Sequence, residues 1–280
     1  RNFNRLTNFP LYERVLAKLK ADPSVLSSDG NANVKTIRAL MAQEIAAYQS
    51  NTQVDLLQST LVGLAHDADV VLDLHCDEKA VMHTYTLPQL WPQLEPLARY
   101  LRSECQILSE NSGSNAFDEF LSTIWLRLSR EFPQANIPLA CFSTTIELRG
   151  EGDLQHEWAQ TDAQAIVQYL AHIGAIKLDE QAIQAMPDLI REPNPLSGLS
   201  YVLAPLAGIA VYRVHPGDTV TQGQVVADII DPIHQICTPV TTPTDGFVYA
   251  VHHANFAQQG TTLVSVSGAK DLGLGDALGP

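Results

Sequence analysis

Asp69-Val70-Val71-Leu72-Asp73-Leu74 is a short, nearly continuous apolar run that closes on the polar stretch His75-Cys76-Asp77-Glu78. Such a run predicts a buried strand whose C-terminal end opens onto a loop. Pro138 to Leu148 (PLACFSTTIEL) is β-branched and apolar, and predicts a second strand. Helical spacing surrounds them. Leu11 to Lys20 carries Leu11, Val15, Leu16 and Leu19 on one face, and Val34 to Tyr48 carries Ile37, Leu40, Met41 and Ile45. A further helix is expected from Pro92 to Ser103, then a short strand around Gln106 to Leu108. Asn115 is expected to cap a helix running to Arg130, with Phe117, Phe120, Leu121, Ile124 and Leu128 turned inward. A last helix spans Asp162 to His172 and is stopped by Gly174. Strands alternating with helices of this length predict an α/β domain with a largely buried sheet. Function in such sheets gathers at strand ends, where His75 and Glu147 fall.

The character changes after Met186. A proline-rich connector, PDLIREPNPLSG, leads into short β-type runs separated by Gly and Pro from Tyr201 onward. This region repeats itself: Ala204-Pro205-Leu206-Ala207-Gly208-Ile209 is echoed by Thr242-Pro243-Thr244-Asp245-Gly246-Phe247, the prolines and glycines each 38 positions apart. Two similar halves predict a small pseudo-symmetric β-sandwich or barrel. The boundaries expected are an α/β domain over 1–190, a linker over 191–200, a β domain over 201–268 and a Gly-rich tail over 269–280.

The bulk numbers narrow the function. Across 280 residues, 17 Lys+Arg stand against 31 Asp+Glu, a net charge of −14 that repels phosphate backbones and anionic lipid. Neither nucleic acid nor a membrane surface is therefore an expected partner. No apolar run approaches the ~20 residues of a membrane span. The four cysteines (Cys76, Cys105, Cys141, Cys237) are irregularly spaced without a CxxC pair, so reduced thiols and a cytoplasmic setting are expected. The chain opens on Arg1, so a targeting segment, if any, would precede it. No phosphate-cradling Gly-rich loop and no G-x-S-x-G elbow is present, which leaves nucleotide-binding and serine-hydrolase readings without support.

Four places could carry chemistry. Asp73 and His75 lie two apart on a strand and so project to one side, where a carboxylate behind an imidazole fixes its tautomer and frees the other nitrogen for a metal. The plainer reading is a hydrogen-bonded histidine at a strand end. His75-Cys76-Asp77-Glu78 also has H-x-x-E spacing, a pattern common by chance. Asp77, Glu78 and His83 are expected in the loop that follows, either lining a pocket or simply solvated. Glu147 ends a buried run and must be paired, metal-linked or facing a cleft, since burying a bare carboxylate is costly; in a cleft it could take a proton from water. Asn4 and Arg5 offer an amide beside a planar guanidinium fork, suited to a substrate carboxylate or simply part of a surface loop.

Taken in order, the N-R-x-F-like opening (Phe3-Asn4-Arg5), the D-L-H strand end (Asp73 to His75) and the T-x-E-L strand end (Thr145 to Leu148) resemble the succinylglutamate desuccinylase/aspartoacylase branch of the zinc carboxypeptidase superfamily. The resemblance covers roughly residues 1 to 175. It implies a zinc-carboxypeptidase-like mixed sheet flanked by helices. It also implies a zinc cofactor with His75 as the last of three ligands, Asp73 behind it, and Glu147 as general base. Asn4 and Arg5 would grip a substrate carboxylate, and Arg149 would assist if the strand continues past Glu147. The activity implied is hydrolysis of an amide bond in a small N-acyl amino acid or related carboxylate. The family's first two zinc ligands sit in an H-x-x-E motif before the Asn-Arg pair, and this chain begins at that pair, so the H-x-x-E at His75 is read as coincidence. An incomplete metal site in a non-catalytic binding or assembly protein is the alternative, and a homo-oligomer is compatible with either. The C-terminal part resembles a biotinyl/lipoyl-type β module, but no lysine occurs between Lys177 and Lys270, so the carrier role is rejected.

Overall fold

The structure, a computed structural model, describes residues 4–6, 8–113 and 115–273. Its helices are α1 (Leu11–Ala21), α2 (Gly30–Ala46), α3 (Gln53–Ala65), α4 (Trp91–Leu101), α5 (Phe117–Glu131) and α6 (His156–His172). The strands of the first part are β1 (Val70–Asp77), β2 (Lys79–Ala80), β3 (His83–Thr86), β4 (Cys105–Leu108), β5 (Phe142–Gly150) and β6 (Asn194–Pro195). The remainder is β7 (Leu199–Leu203), β8 (Gly208–Tyr212), β9 (Thr219–Val220), β10 (Val225–Asp231), β11 (Ile236–Thr241), β12 (Gly246–Val251), β13 (Phe256–Ala257) and β14 (Thr262–Ser267). By compactness the chain divides into one unit of Arg1–Asp73 with Glu110–Thr144, and a second of Leu74–Ser109 with Thr145–Pro280.

The first unit is helical and closes on one apolar cluster that includes Val15, Leu19, Ile37, Met41, Ile124, Trp125 and Leu128. α1 buries Leu11, Val15 and Leu19 as its spacing predicts. α2 starts earlier than Val34 because the Asp29 carboxylate accepts from the amides of Asn31 and Ala32 and so caps it at Gly30. α3 is absent from the sequence reading. It is set by a capping box, in which Thr52 Oγ1 accepts from Asp55 N at 3.1 Å and Asp55 Oδ2 from Thr52 N at 3.0 Å. Asn115 does not cap α5. It takes a positive φ of 51° and donates to Leu6 O at 3.1 Å, while the Phe117 amide donates to Asn4 Oδ1 at 3.3 Å. Arg38 ties together the segments that feed the two key strands. Its Nη2 donates to Ala68 O, Asp69 Oδ1 and Ala140 O at 3.0, 2.9 and 3.0 Å.

In the sheet that carries the strand ends the order is β1-β5-β3-β4-β6. β3 runs antiparallel to β5 and parallel to β4, and β4 runs parallel to β6. It is a mixed sheet in an α/β arrangement, as expected. α4 and α6 accompany it, and Tyr169 of α6 is buried with its hydroxyl donating to Gln93 O at 3.4 Å. One placement corrects the sequence reading: His83 belongs to β3 and is wholly buried, not in a solvated loop after β1. The proline-rich stretch contributes β6 to this sheet.

The repeat has a structural counterpart. One sheet runs β11-β10-β8-β13, and the other follows β2-β12-β14-β7 with β9 also on β12. A shift of 38 positions carries β7, β8, β9 and β10 closely onto β11, β12, β13 and β14. Each sheet thus takes two central strands from one repeat and borrows two flanking strands from the other. The repeated glycines open β8 and β12, where a partner strand passes too close for a side chain. A Cβ on Gly208 would lie 2.6 Å from Ile230 O, and one on Gly246 would lie 2.7 Å from Ser267 O. Valines 226, 248, 264 and 266, Ile229 and Leu263 fill the cluster of this region. The second sheet also takes in β2: Ala250 pairs with Ala80 and Val251 with Lys79. Of the expected tail, Leu272 N donates to Ser197 O at 2.9 Å, and residues 274–280 lie outside the described residues.

Candidate active site

Asp73, His75 and Asp77 of β1 are partly buried while Leu74 and Cys76 between them are exposed, the alternation a strand imposes. β5 is the sheet neighbour of β1 and brings Glu147, also partly buried. Across the β3–β5 ladder Glu147 stands opposite His83. His83 Nδ1 lies 2.9 Å from Val81 O, a carbonyl that can only accept, so Nδ1 carries the proton and Nε2 the lone pair. Nε2 is 3.7 Å from Asp77 Oδ2, too long for a hydrogen bond. Burial lowers the His83 pKa against the opposing pull of the Val81 carbonyl and Asp77, and keeps the ring neutral at pH 7.

The charge of Glu147 is felt by its neighbours. Partial desolvation and then the Glu147, Glu151 and Asp77 charges raise the Cys76 thiol. Burial raises Tyr85 well above the ordinary phenol range, with the Tyr201 and Glu147 charges adding to it. The carboxylate therefore sits among groups held in their neutral forms: a thiol, a phenol and an imidazole. β5 runs on to Gly150, and within it Arg149 takes a positive φ of 70°. Its guanidinium makes a fork with Asp162 of α6, at 2.8 and 3.1 Å, and lies 5.1 Å from the Trp158 ring. Gly150 follows because Glu78 O would be 2.6 Å from any Cβ there.

Asn4 and Arg5 belong to the first unit. Asn4 is buried with its side-chain oxygen on the Phe117 amide. Arg5 is held through its backbone, in a bridge with Ala116 and by Gln58 Nε2 donating to its carbonyl at 2.8 Å. Phe3 of the same motif lies outside the described residues.

A tetrahedral zinc site open to substrate takes three protein ligands. Among the described residues, the one group of three His, Cys, Asp or Glu side chains with ligand atoms in mutual reach is Glu78, His252 and His253. His75 is not in it, and the zinc set implied around His75 is not completed by the described residues. The H-x-x-E spacing is chance in this respect, because Glu78 turns toward His252. His252 and His253 are hard to single out in the sequence. Their one local signal is the doubled histidine at a strand end. His83 had a better one, the β-type run Met82-His83-Thr84-Tyr85-Thr86.

Among the described residues no helix is long and apolar enough to cross a membrane. No protein-family model matches the chain, and no curated protein matches it. Solved structures do. A succinylglutamate desuccinylase/aspartoacylase family protein from Shewanella amazonensis superposes with a TM-score of 0.78 at 23% identity, covering 95% of this chain and 72% of that one. A second from Shewanella frigidimarina gives 0.77 at 22% identity, covering 95% and 71%. The ectoine utilization protein EutE of Ruegeria pomeroyi gives 0.60 at 14% identity, covering 80% and 67%. The chain therefore has the fold of the succinylglutamate desuccinylase/aspartoacylase structures.

Proposed function

We propose that this chain carries the catalytic core of a hydrolase that cleaves the amide bond of a small N-acylated amino acid or related carboxylate, with Glu147 as the proton acceptor. The observation that carries the reading is the setting of Glu147, a partly buried carboxylate at a strand end whose neighbours Tyr85 and His83 are kept neutral by burial, with the exposed Cys76 thiol also raised beside it. A carboxylate so placed takes a proton from an attacking water and returns it to the leaving amine. Neutral His83, opposite it in register, keeps a cation away from that position, which would otherwise weaken Glu147 as a base. The shared fold supports the same class, since its solved members are described as desuccinylase and aspartoacylase family proteins. Zinc enters the reading through His75 alone, backed by Asp73. Among the described residues no trio of ligands includes His75, and the proton steps are those of the chain's own side chains.

The test is turnover of a panel of N-acylated amino acids, N-succinylglutamate and N-acyl-aspartates included, by the wild-type chain and by Glu147→Gln. The variant should keep its circular dichroism spectrum and Tm and lose on the order of 10²–10⁴ in kcat. Near-wild-type turnover removes Glu147 from the chemistry. Binding of the same compounds without turnover by the wild type would favour the non-catalytic alternative.

A further inference from the structure

We propose that Glu78, His252 and His253 form a binding site for a divalent cation of the zinc class, separate from His75. The backbone builds it. β12 ends at Val251, which pairs antiparallel with Lys79, so the next rung sets His252 across from Glu78. The two segments are 174 positions apart in sequence and meet only because β2 joins this sheet. Glu78 is anchored by its own amide, which donates to Asp77 Oδ1 at 2.7 Å, and by Gly150, whose lack of a side chain admits the Glu78 carbonyl. His253 is anchored by its amide, which donates to Glu78 Oε2 at 3.1 Å.

The donors converge. His252 Nδ1 lies 2.5 Å from Glu78 Oε2 and His253 Nδ1 lies 3.3 Å from Glu78 Oε1. One ligand atom from each of the three residues falls within 4.8 Å of the others, the spread a single ion can span. Two imidazole nitrogens with one carboxylate oxygen suit zinc and its first-row neighbours, and poorly suit calcium or magnesium, which take oxygen ligands. The side chains are 17% exposed at His252, 49% at His253 and 41% at Glu78, so the group opens to solvent on one side and leaves room there for a fourth, exchangeable ligand. Bound metal would fasten the β1–β2 connection to the end of β12, a clip between segments otherwise joined at that edge by a two-residue strand. This site does not depend on the role given to Glu147, and its readout is metal content.

Zinc is titrated into the metal-free chain against a chromophoric chelator, and Tm is followed in parallel. The wild-type chain should bind zinc with a Tm gain of about 5–10 °C at zinc 100-fold above Kd. His252→Ala/His253→Ala should lose about one equivalent together with that gain, and His75→Ala should keep both. Glu78→Gln, the conservative variant, should weaken binding on the order of tenfold or more while leaving the metal-free Tm near wild type. Unchanged stoichiometry and Tm gain in the double-histidine variant, or their loss in His75→Ala, would overturn the proposal. So would a wild-type chain that takes up no zinc, which would make the group a hydrogen-bonded latch only.

Discussion

Removing the Arg149 guanidinium should unfasten the end of β5 from α6. The pair is a two-bond fork at 2.8 and 3.1 Å whose side chains are 21% and 9% exposed. An exposed ion pair contributes about 0.2–1 kcal/mol, and breaking a fully buried one costs about 3–5 kcal/mol. The Asp162 carboxylate sits near the buried limit and the guanidinium short of it, so Arg149→Met, which keeps the apolar stem, should cost about 2 kcal/mol. For a unit of this size that is a Tm drop of about 4–8 °C. A double-mutant cycle with Asp162→Asn isolates the pair, and the coupling should be at least about 1 kcal/mol. The backbone gives an independent check. Arg149 sits at φ 70°, a conformation costing a non-glycine residue about 1–2 kcal/mol, so Arg149→Gly should be less damaging than Arg149→Ala. Additivity within about 0.5 kcal/mol would refute the strap. A rise in KM confined to the Arg149 variant, with no loss of stability, would instead favour the carboxylate grip implied by the family resemblance.

Burial pushes the thiols of Cys105 and Cys141 up to about 12, while Cys76 and Cys237 are exposed. A chromogenic disulfide at pH 8 should therefore titrate two thiols in the native chain and four in guanidinium, and four at native rates would contradict the burial. Trp125→Ala empties the middle of the first unit's core and should cost about 3–5 kcal/mol by circular dichroism in denaturant; a loss under about 1 kcal/mol would mean the cluster is loosely packed. Gly208→Ala should cost about 1–3 kcal/mol, because the new Cβ meets Ile230 O, and a neutral result would mean that β8 and β10 are farther apart than described. Intact mass should show neither biotinyl nor lipoyl addition, since no lysine lies between Lys177 and Lys270.

What was legible in the sequence was local. β1 and β5 announce themselves as apolar runs, and α1 as a stripe of leucine and valine, because each buries side chains in a pattern its own residues spell out. α3 hid because Leu56, Leu57 and Leu64 are exposed, so its apolar residues do not form an inward stripe; the Thr52–Asp55 box was the available clue. β3 hid because its buried residues, His83, Thr84 and Thr86, are polar and lie on both faces of the strand. The strand-end acid Glu147 could be singled out from the cost of burying it, but its neutral surroundings depend on Cys76, Tyr85 and His83 coming together from two other strands. The Glu78–His252–His253 group is of the same kind, since no window of sequence holds both of its sides.

The loan of strands between the two C-terminal repeats bears on what a single repeat could do alone. Residues 199–231 would hold β8 and β10 without β11 and β13 to flank them, and would expose β7 and β9 with no sheet of their own to join. The unpaired backbone of one copy would match the missing flanks of another, and the pair would close around a two-fold axis with every rung filled. In the full chain both repeats lie on one polypeptide, so their association is intramolecular and does not depend on chain concentration.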